Sequence, residues 1–281
     1  MPVQFDRPDL QLYESALFRT VSTLIIGKDH LLLVDPTWLP QEIEVLHARV
    51  EELRRGRTCY LLFTHSDYDH IIGFGRFEDW HTLASEAFVG IADPDEPIRQ
   101  ILDFDDAYYI TRGYPVRYPR IDTSLAGNGV SRLLGSEEYL FFRAPGHNPD
   151  GIIALNRQRG ILIVGDYLSN IEFPYVYHSV SAYRATLDRL EGIIRDHEIR
   201  VLVSGHGDHA TLPSEMLERV RESREYLDEL EAAVRHDRTF DLDRLFTRYR
   251  FPGIMRKYHA DNLALMKQHV AEEELKAPDQ S

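Results

Sequence analysis

Short apolar runs separated by polar turns dominate the first part of the chain. Rich in β-branched and aromatic residues, they predict strands at residues 10–13, 20–26, 31–35 and 60–63. Residues 27–30 suit a hairpin turn between the second and third runs. Further strands are predicted across residues 130–166 and immediately before His206.

Helical periodicity, with apolar residues three or four positions apart, begins after Pro40 and dominates the end of the chain. Helices are predicted from residue 40 to Gly56 and at residues 71–77, 85–89, 97–102, 182–197, 213–236, 241–249 and 258–274. This order predicts an α/β protein, a four-layer αββα sandwich with helices outside two sheets. We interpret residues 1–281 as one domain, with residues 212–281 as a C-terminal helical extension.

The segment 108–115 is rich in aromatic residues and shows neither period clearly. We interpret it as ordinary packing or a strand, with the wall of a pocket as the alternative.

The predicted strand at 60–63 ends on the densest chemistry in the chain. His65, Asp67, Asp69 and His70 all follow it within a few positions. Burying such groups without a cation or hydrogen-bond partners is costly, and a divalent metal removes that cost. The segment is therefore predicted to be a metal loop, with a polar surface turn as the alternative.

Three later apolar runs also end on residues of the metal-binding type, next to or near a glycine. These residues are His147, Asp166 and His206. Strand ends that gather at one edge of a sheet are where α/β folds build sites. Four such endings in order favour the metal site over a solvated turn.

Composition and charge narrow the function. The formal net charge of −14 counts against nucleic-acid binding, because no basic face can neutralise phosphates. No apolar stretch approaches the roughly 20 residues that span a bilayer, and the first residues lack a signal-peptide pattern. We therefore expect no membrane partner and a cytoplasmic location. The single cysteine, Cys59, is predicted to start a buried strand.

In order and spacing, these residues resemble the metallo-β-lactamase superfamily over roughly residues 20–210. That family carries a His-x-His-x-Asp-His loop, then a lone His, a lone bridging Asp and a last His, each after a strand. Asp35 is similar to an aspartate that the family places near the site as a support. The resemblance implies the four-layer sandwich of the metallo-β-lactamase type and two divalent metal ions.

The resemblance implies that His65 and His147 hold the first metal, that Asp69, His70 and His206 hold the second, and that Asp166 bridges both. Asp67 stands where most members have a second His. Its carboxylate can still reach the first metal and makes that site harder and more anionic. Zinc is the expected metal, with iron or manganese as alternatives because of Asp67.

Two cations joined by Asp166 would lower the pKa of a water and create hydroxide near neutral pH. The leading hypothesis is therefore a dinuclear metallo-hydrolase acting on a small carbonyl or phosphoester substrate, such as an ester, lactone or thioester. Asp69 is predicted to ligate and to orient or accept a proton. Tyr167 and Tyr177 are candidate donors to the oxyanion, as is Tyr175, although a packed aromatic is the simpler assignment for each.

Two other functions stay open. Asp67 resembles the carboxylate of the flavodiiron branch, which suggests a non-haem di-iron oxidoreductase. A non-catalytic metal-binding protein is the third hypothesis. A small-molecule substrate is the predicted binding partner. The C-terminal helices are predicted either to cap the pocket or to form a homodimer interface.

Overall fold

The computed structural model describes residues 1–276, and within them two β-sheets lie face to face. The first sheet has seven strands in chain order, antiparallel from β1 to β4 and parallel from β4 to β7. These strands are β1 (Val3–Arg7), β2 (Leu10–Glu14), β3 (Val21–Ile26), β4 (His30–Val34), β5 (Thr58–Leu62), β6 (His81–Ser85) and β7 (Thr123–Leu125).

The second sheet has five strands in the order β12-β11-β10-β9-β8, with only β11 and β12 parallel. They are β8 (Val130–Leu134), β9 (Glu137–Arg143), β10 (Ile152–Asn156), β11 (Ile161–Ile163) and β12 (Val201–Val203). The helices are α1 (Pro40–Arg54), α2 (Tyr68–Ile71), α3 (Glu86–Val89), α4 (Asp95–Ala107), α5 (Val180–Asp196), α6 (Pro213–Arg235), α7 (Leu242–Phe246) and α8 (Pro252–Lys276).

Three apolar cores separate the four layers. In β4, Leu31 and Leu33 pack with α1, whereas Leu32 and Val34 face the second sheet. The inner strands are buried on both faces, which is why they read as continuous apolar runs. The predicted αββα sandwich is therefore confirmed.

The C-terminal helices complete the third core. Leu227 and Leu230 of α6 and Met266 and Val270 of α8 belong to the same buried cluster as Leu187 of α5. The predicted helices are thus present, and they pack on the outer face of the second sheet. The single domain and the homodimer interface stay predictions. The last residues of the predicted extension, 277–281, lie outside the described part of the chain.

Sequence patterns missed three strands and misjudged two segments. β1, β6 and β7 carry polar residues among their apolar ones, so no apolar run marked them. The helix predicted at 71–77 is the short α2 followed by a 3-10 turn, Phe74–Arg76. Residues 108–115 form no strand, and Arg112 there makes a bidentate ion pair with Asp105 of α4.

Cys59 lies buried in β5, as predicted, and burial raises the pKa of its thiol to about 11. Across the helices of the described chain, none combines the length and apolar character needed to cross a bilayer.

Candidate metal centre

All seven predicted ligands gather at one edge where both sheets end. His65 follows β5, and Asp69 and His70 lie in the short helix α2. His147, Asp166 and His206 follow β9, β11 and β12 on the other sheet, and Asp67 precedes α2. The sheets are tied together here because Val21 N–H donates to Gly205 O at 2.7 Å.

The ligand-type atoms form two groups. One comprises His65, Asp67, His147 and Asp166, and the other comprises Asp69, His70 and His206. Within each group the candidate atoms all lie within 4.8 Å of one another. Such spacing suits one cation per group.

Asp166 reaches both groups. Its Oδ2 lies 3.6 Å from His65 Nε2, 3.4 Å from His147 Nε2 and 3.3 Å from His206 Nε2. Its Oδ1 lies 3.1 Å from His70 Nε2. One carboxylate therefore contacts all four imidazoles, which is the arrangement needed to bridge two ions.

Two glycines permit this approach. A Cβ on Gly205 would lie 2.2 Å from Asp166 Oδ1, so no side chain fits at position 205. Gly146, just before His147, has φ +134, and a Cβ there would lie 2.4 Å from Tyr183 Cα. At Gly146 the backbone adopts a conformation that side chains rarely allow, and at Gly205 the missing side chain leaves room for Asp166.

Backbone carbonyls orient two of the histidines. His147 Nδ1–H donates to Tyr175 O at 2.7 Å, and His206 Nδ1–H donates to Phe18 O at 2.9 Å. In the neutral imidazole, each bond fixes the tautomer whose Nε2 lone pair can bind a metal ion.

Side chains orient the other two histidines. His70 Nδ1–H donates to Asp35 Oδ2 at 3.0 Å. Thr64 Oγ1 donates to the same carboxylate at 2.6 Å and accepts from His65 Nδ1 at 2.9 Å. Asp35 therefore supports ligands of both groups, which matches the supporting role that the resemblance implied for it.

Three inward-facing atoms of the cluster have no hydrogen-bond partner in the part of the chain that the structure describes, although His70 Nε2 and Asp166 Oδ1 lie 3.1 Å apart as an ion pair. His65 Nε2, His70 Nε2 and Asp166 Oδ1 are buried and make no hydrogen bond within the described residues. Buried polar atoms without partners are costly, and bound cations would satisfy them. The donor set of imidazole nitrogens and carboxylate oxygens fits a divalent metal.

Charges in the cluster stabilise one another. Burial opposes ionisation of Asp166, but His206, His70 and His65 outweigh it and hold its pKa well below the ordinary value. Burial likewise opposes the imidazolium of His206, yet Asp166 and Glu172 raise its pKa to about 10. Without metal, the cluster holds protons that cations would replace.

Comparison with known families agrees with this geometry. The model of the Metallo-beta-lactamase superfamily matches residues 16–232, which span every candidate ligand. The chain belongs to the metallo-beta-lactamase superfamily. The resemblance predicted from the motifs is confirmed, and with it the assignment to a superfamily of metallo-hydrolases.

Solved structures share the superfamily fold. A metallo-beta-lactamase family protein from Thermus thermophilus is 18% identical with a TM-score of 0.61, covering 81% of this chain and 82% of that one. A Cronobacter sakazakii metallo-beta-lactamase with a HARLDQ motif is 18% identical with a TM-score of 0.58, covering 83% and 95%. The sec-alkylsulfatase Pisa1 from Pseudomonas sp. is 13% identical with a TM-score of 0.62, covering 83% and 42%. No curated protein sequence matches the chain significantly.

Asp67 is the departure from the superfamily motif, and the structure places it within the first group. Its Oδ2 lies 3.1 Å from His147 Nε2 and 3.5 Å from His65 Nε2. Asn148 Nδ2 donates to its other oxygen at 2.7 Å. Sequence reasoning missed Asn148, although its position beside His147 was a usable signal.

The structure corrects the role predicted for Tyr167. Its ring is buried, and its hydroxyl accepts from His147 N at 3.0 Å and donates to Pro145 O at 3.0 Å. Because these bonds turn the phenol toward the 144–147 loop, Tyr167 positions that loop and cannot face an oxyanion. Tyr177 is half-exposed, its ring 5.1 Å from that of His147, and its catalytic role stays a prediction.

A pocket opens over the ligands, and the C-terminal helices form part of its wall. Tyr258 of α8 and Ser223 of α6 line it together with Phe18, Tyr68, Tyr175, Tyr177 and Glu172. The packing thus agrees with the capping alternative predicted for these helices.

Glu172 is a pocket residue that sequence reasoning missed. It lies on the loop after Asp166, and burial with the nearby Asp166 and Asp69 carboxylates raises its pKa, although His206 opposes this. No motif marked it, because only the fold of the loop brings it over the site.

Proposed function

We propose that the protein is a dinuclear metal-dependent hydrolase of a small carbonyl or phosphoester substrate. The observation that carries this proposal is the position of Asp166 among four imidazoles whose Nε2 atoms all face it. Structural neighbours include proteins named as beta-lactamase and sulfatase, and one fold can host many reactions, so the residues of the site decide the reaction class.

When bound, two divalent ions would lower the pKa of a water and polarise the substrate oxygen. His65, Asp67 and His147 would hold the first ion, and Asp69, His70 and His206 the second, with Asp166 shared. Zinc is the metal we propose, since it accepts both imidazole and carboxylate ligands.

Asp69 is the proposed proton acceptor. Its Oδ2 lies 3.6 Å from His206 Nε2, and Thr20 Oγ1 donates to it at 3.4 Å. Because this carboxylate also lines the pocket, it can orient the attacking water and take its proton. Tyr177, at the rim, is proposed to donate to the developing oxyanion.

The test combines metal content with turnover. Purified protein should contain about two metal ions per chain and hydrolyse at least one member of an ester, lactone, thioester and phosphodiester panel. Asp166→Ala should abolish both. An intact metal complement with no turnover on any substrate would contradict the hydrolase proposal.

Asp67 supports a second candidate, a non-haem di-iron oxidoreductase. Two carboxylates and two imidazoles in the first group make it harder than an all-imidazole site, which favours iron or manganese. Iron retained in protein grown with zinc available, together with oxygen consumption, would support this candidate. A redox-inert zinc site would contradict it.

A further inference from the structure

The pocket over the candidate metal ligands is lined by both acidic and aromatic side chains. Among residues 1–276, neither lysine nor arginine lines it. The lining therefore offers no cationic side chain that could anchor a carboxylate, sulfate or phosphate away from the metals.

Tyrosine rings form a continuous wall on one side. Tyr175 stacks on Tyr258 with ring centroids 4.0 Å apart and 19° between the planes. Tyr177 lies against Tyr175 at 4.1 Å. Because Tyr175 lies between the other two rings, the ring faces left for a ligand are the outer faces of Tyr177 and Tyr258. Such faces carry partial negative charge and attract organic cations.

The wall is held rigidly in place. Tyr175 OH donates to Asp261 Oδ2 at 2.7 Å, and Asn262 Nδ2 donates to Pro174 O at 2.6 Å. Asn262 Oδ1 accepts from Val176 N at 2.8 Å, so α8 clamps the loop that carries two of the three rings. A preorganised wall binds without the cost of ordering mobile side chains.

Glu172 supplies a charge in excess of what the metals require. Two divalent ions would bring four positive charges. The carboxylates of Asp67, Asp69 and Asp166 would offset three of them, and the attacking hydroxide would offset the fourth. Glu172 is then a surplus carboxylate, and it lines the same pocket as Tyr258. No hydrogen bond or ion pair joins its carboxylate to another of the described residues.

We propose that the site takes substrates bearing an ammonium or similar organic cation, which the tyrosine wall and Glu172 bind while the reacting group lies at the metal cluster. The identity of the reacting group rests on the proposed function. Binding of the cation by the tyrosine wall and Glu172 does not depend on that function.

The test measures equilibrium binding of three ligands that cannot be hydrolysed. Benzyltrimethylammonium is the cation, neopentylbenzene its neutral isostere and phenylmethanesulfonate the anion. With metal-loaded protein and tyrosine fluorescence as the signal, the cation should bind about tenfold more tightly than the isostere. The sulfonate should bind more weakly than either.

Variants assign the effect to the named groups. Glu172→Gln should weaken cation binding about tenfold and leave the neutral ligand unchanged. Tyr258→Leu should also weaken the cation and offers a second, independent variant. Glu198→Gln, an exposed carboxylate paired with Arg200 far from the pocket, is the matched control and should change nothing.

Three results would overturn the proposal: the sulfonate binding at least as tightly as the cation, cation binding unaffected by Glu172→Gln, or loss of a metal ion in that variant, which would make Glu172 a ligand. Cation binding with normal selectivity in a protein that hydrolyses no substrate would support this proposal and refute the proposed function. Hydrolysis without selectivity for the cation would support the proposed function and refute this proposal.

Discussion

Asp35 and His70 form a buried pair in which the imidazole Nδ1–H donates to the carboxylate at 3.0 Å. Asp35 also accepts from the backbone N–H and the hydroxyl of Thr64 at 2.8 and 2.6 Å. One carboxylate thus sets the orientation of His70 directly and of His65 through Thr64. Partners of this kind fix ligand geometry and raise ligand basicity.

Replacing this carboxylate should weaken metal binding while the fold persists. Asp35 has φ +49, a conformation that asparagine tolerates well, so Asp35→Asn is the least disruptive change. We expect metal affinity to fall about 10- to 100-fold. Competition with a chelator measures it, with exposed Asp188→Asn as the control. Unchanged affinity would show that Asp35 does not support the ligands.

Asp67→His should move the metal preference toward zinc. The substitution replaces an anionic oxygen donor with an imidazole, which softens the first group. Elemental analysis after loading from an equimolar mixture of zinc, iron(II) and manganese(II) measures the change. If both proteins take the same metals in the same ratio, Asp67 does not ligate.

Tyr167→Phe and Tyr177→Phe should have different effects, because Tyr167 positions the 144–147 loop and Tyr177 is proposed to donate to the oxyanion. Losing the Tyr167 hydroxyl leaves the backbone N–H of His147 without its acceptor, which should lower the free energy of unfolding by about 1–3 kcal/mol. Tyr177→Phe should lower kcat with stability and metal content unchanged. Equal effects of both changes on stability would contradict the distinction.

Metal loading should release protons. The metal-free imidazoles have raised pKa values, about 10 for His206, so they carry protons near pH 7 that a metal must displace. Apparent metal affinity should therefore fall as the pH falls. Calorimetric titrations in buffers of different ionisation enthalpy count the protons, and loading without release would contradict the proposed ligands.

Asn262→Ala should loosen the pocket wall. Asn262 is buried, and its amide joins α8 to the backbone at Pro174 and Val176. Removing it should cost about 1–3 kcal/mol of stability because buried backbone groups lose partners. Thermal unfolding measures this, and exposed Gln268→Ala on the same helix is the control.

Sequence patterns located the candidate ligands because each lies at or shortly after the end of a strand. His147, Asp166 and His206 each end an apolar run, and parallel or neighbouring strands bring such ends to one edge. The pattern could not show that α8 reaches the pocket, since the contact of Tyr258 with Tyr175 joins residues 83 positions apart. Glu172 was missed for the same reason.

Local patterns also failed where hydrogen bonds replace apolar burial. Thr82 of β6 is buried, and its hydroxyl pairs with Asp122 and Arg120 O, so that strand carries no alternating apolar signal. Conversely, Tyr108 and Tyr109 gave a strand-like aromatic signal but are exposed in a loop. Both errors come from tertiary contacts that override local propensity.

Anomalous diffraction from crystals of the metal-loaded protein, recorded at the absorption edge of the metal found by elemental analysis, tests the central claim most directly. We predict two peaks on either side of Asp166, each about 2.0–2.3 Å from its imidazole and carboxylate ligands. Peaks elsewhere on the molecule, or none between His65, His70, His147 and His206, would contradict the account.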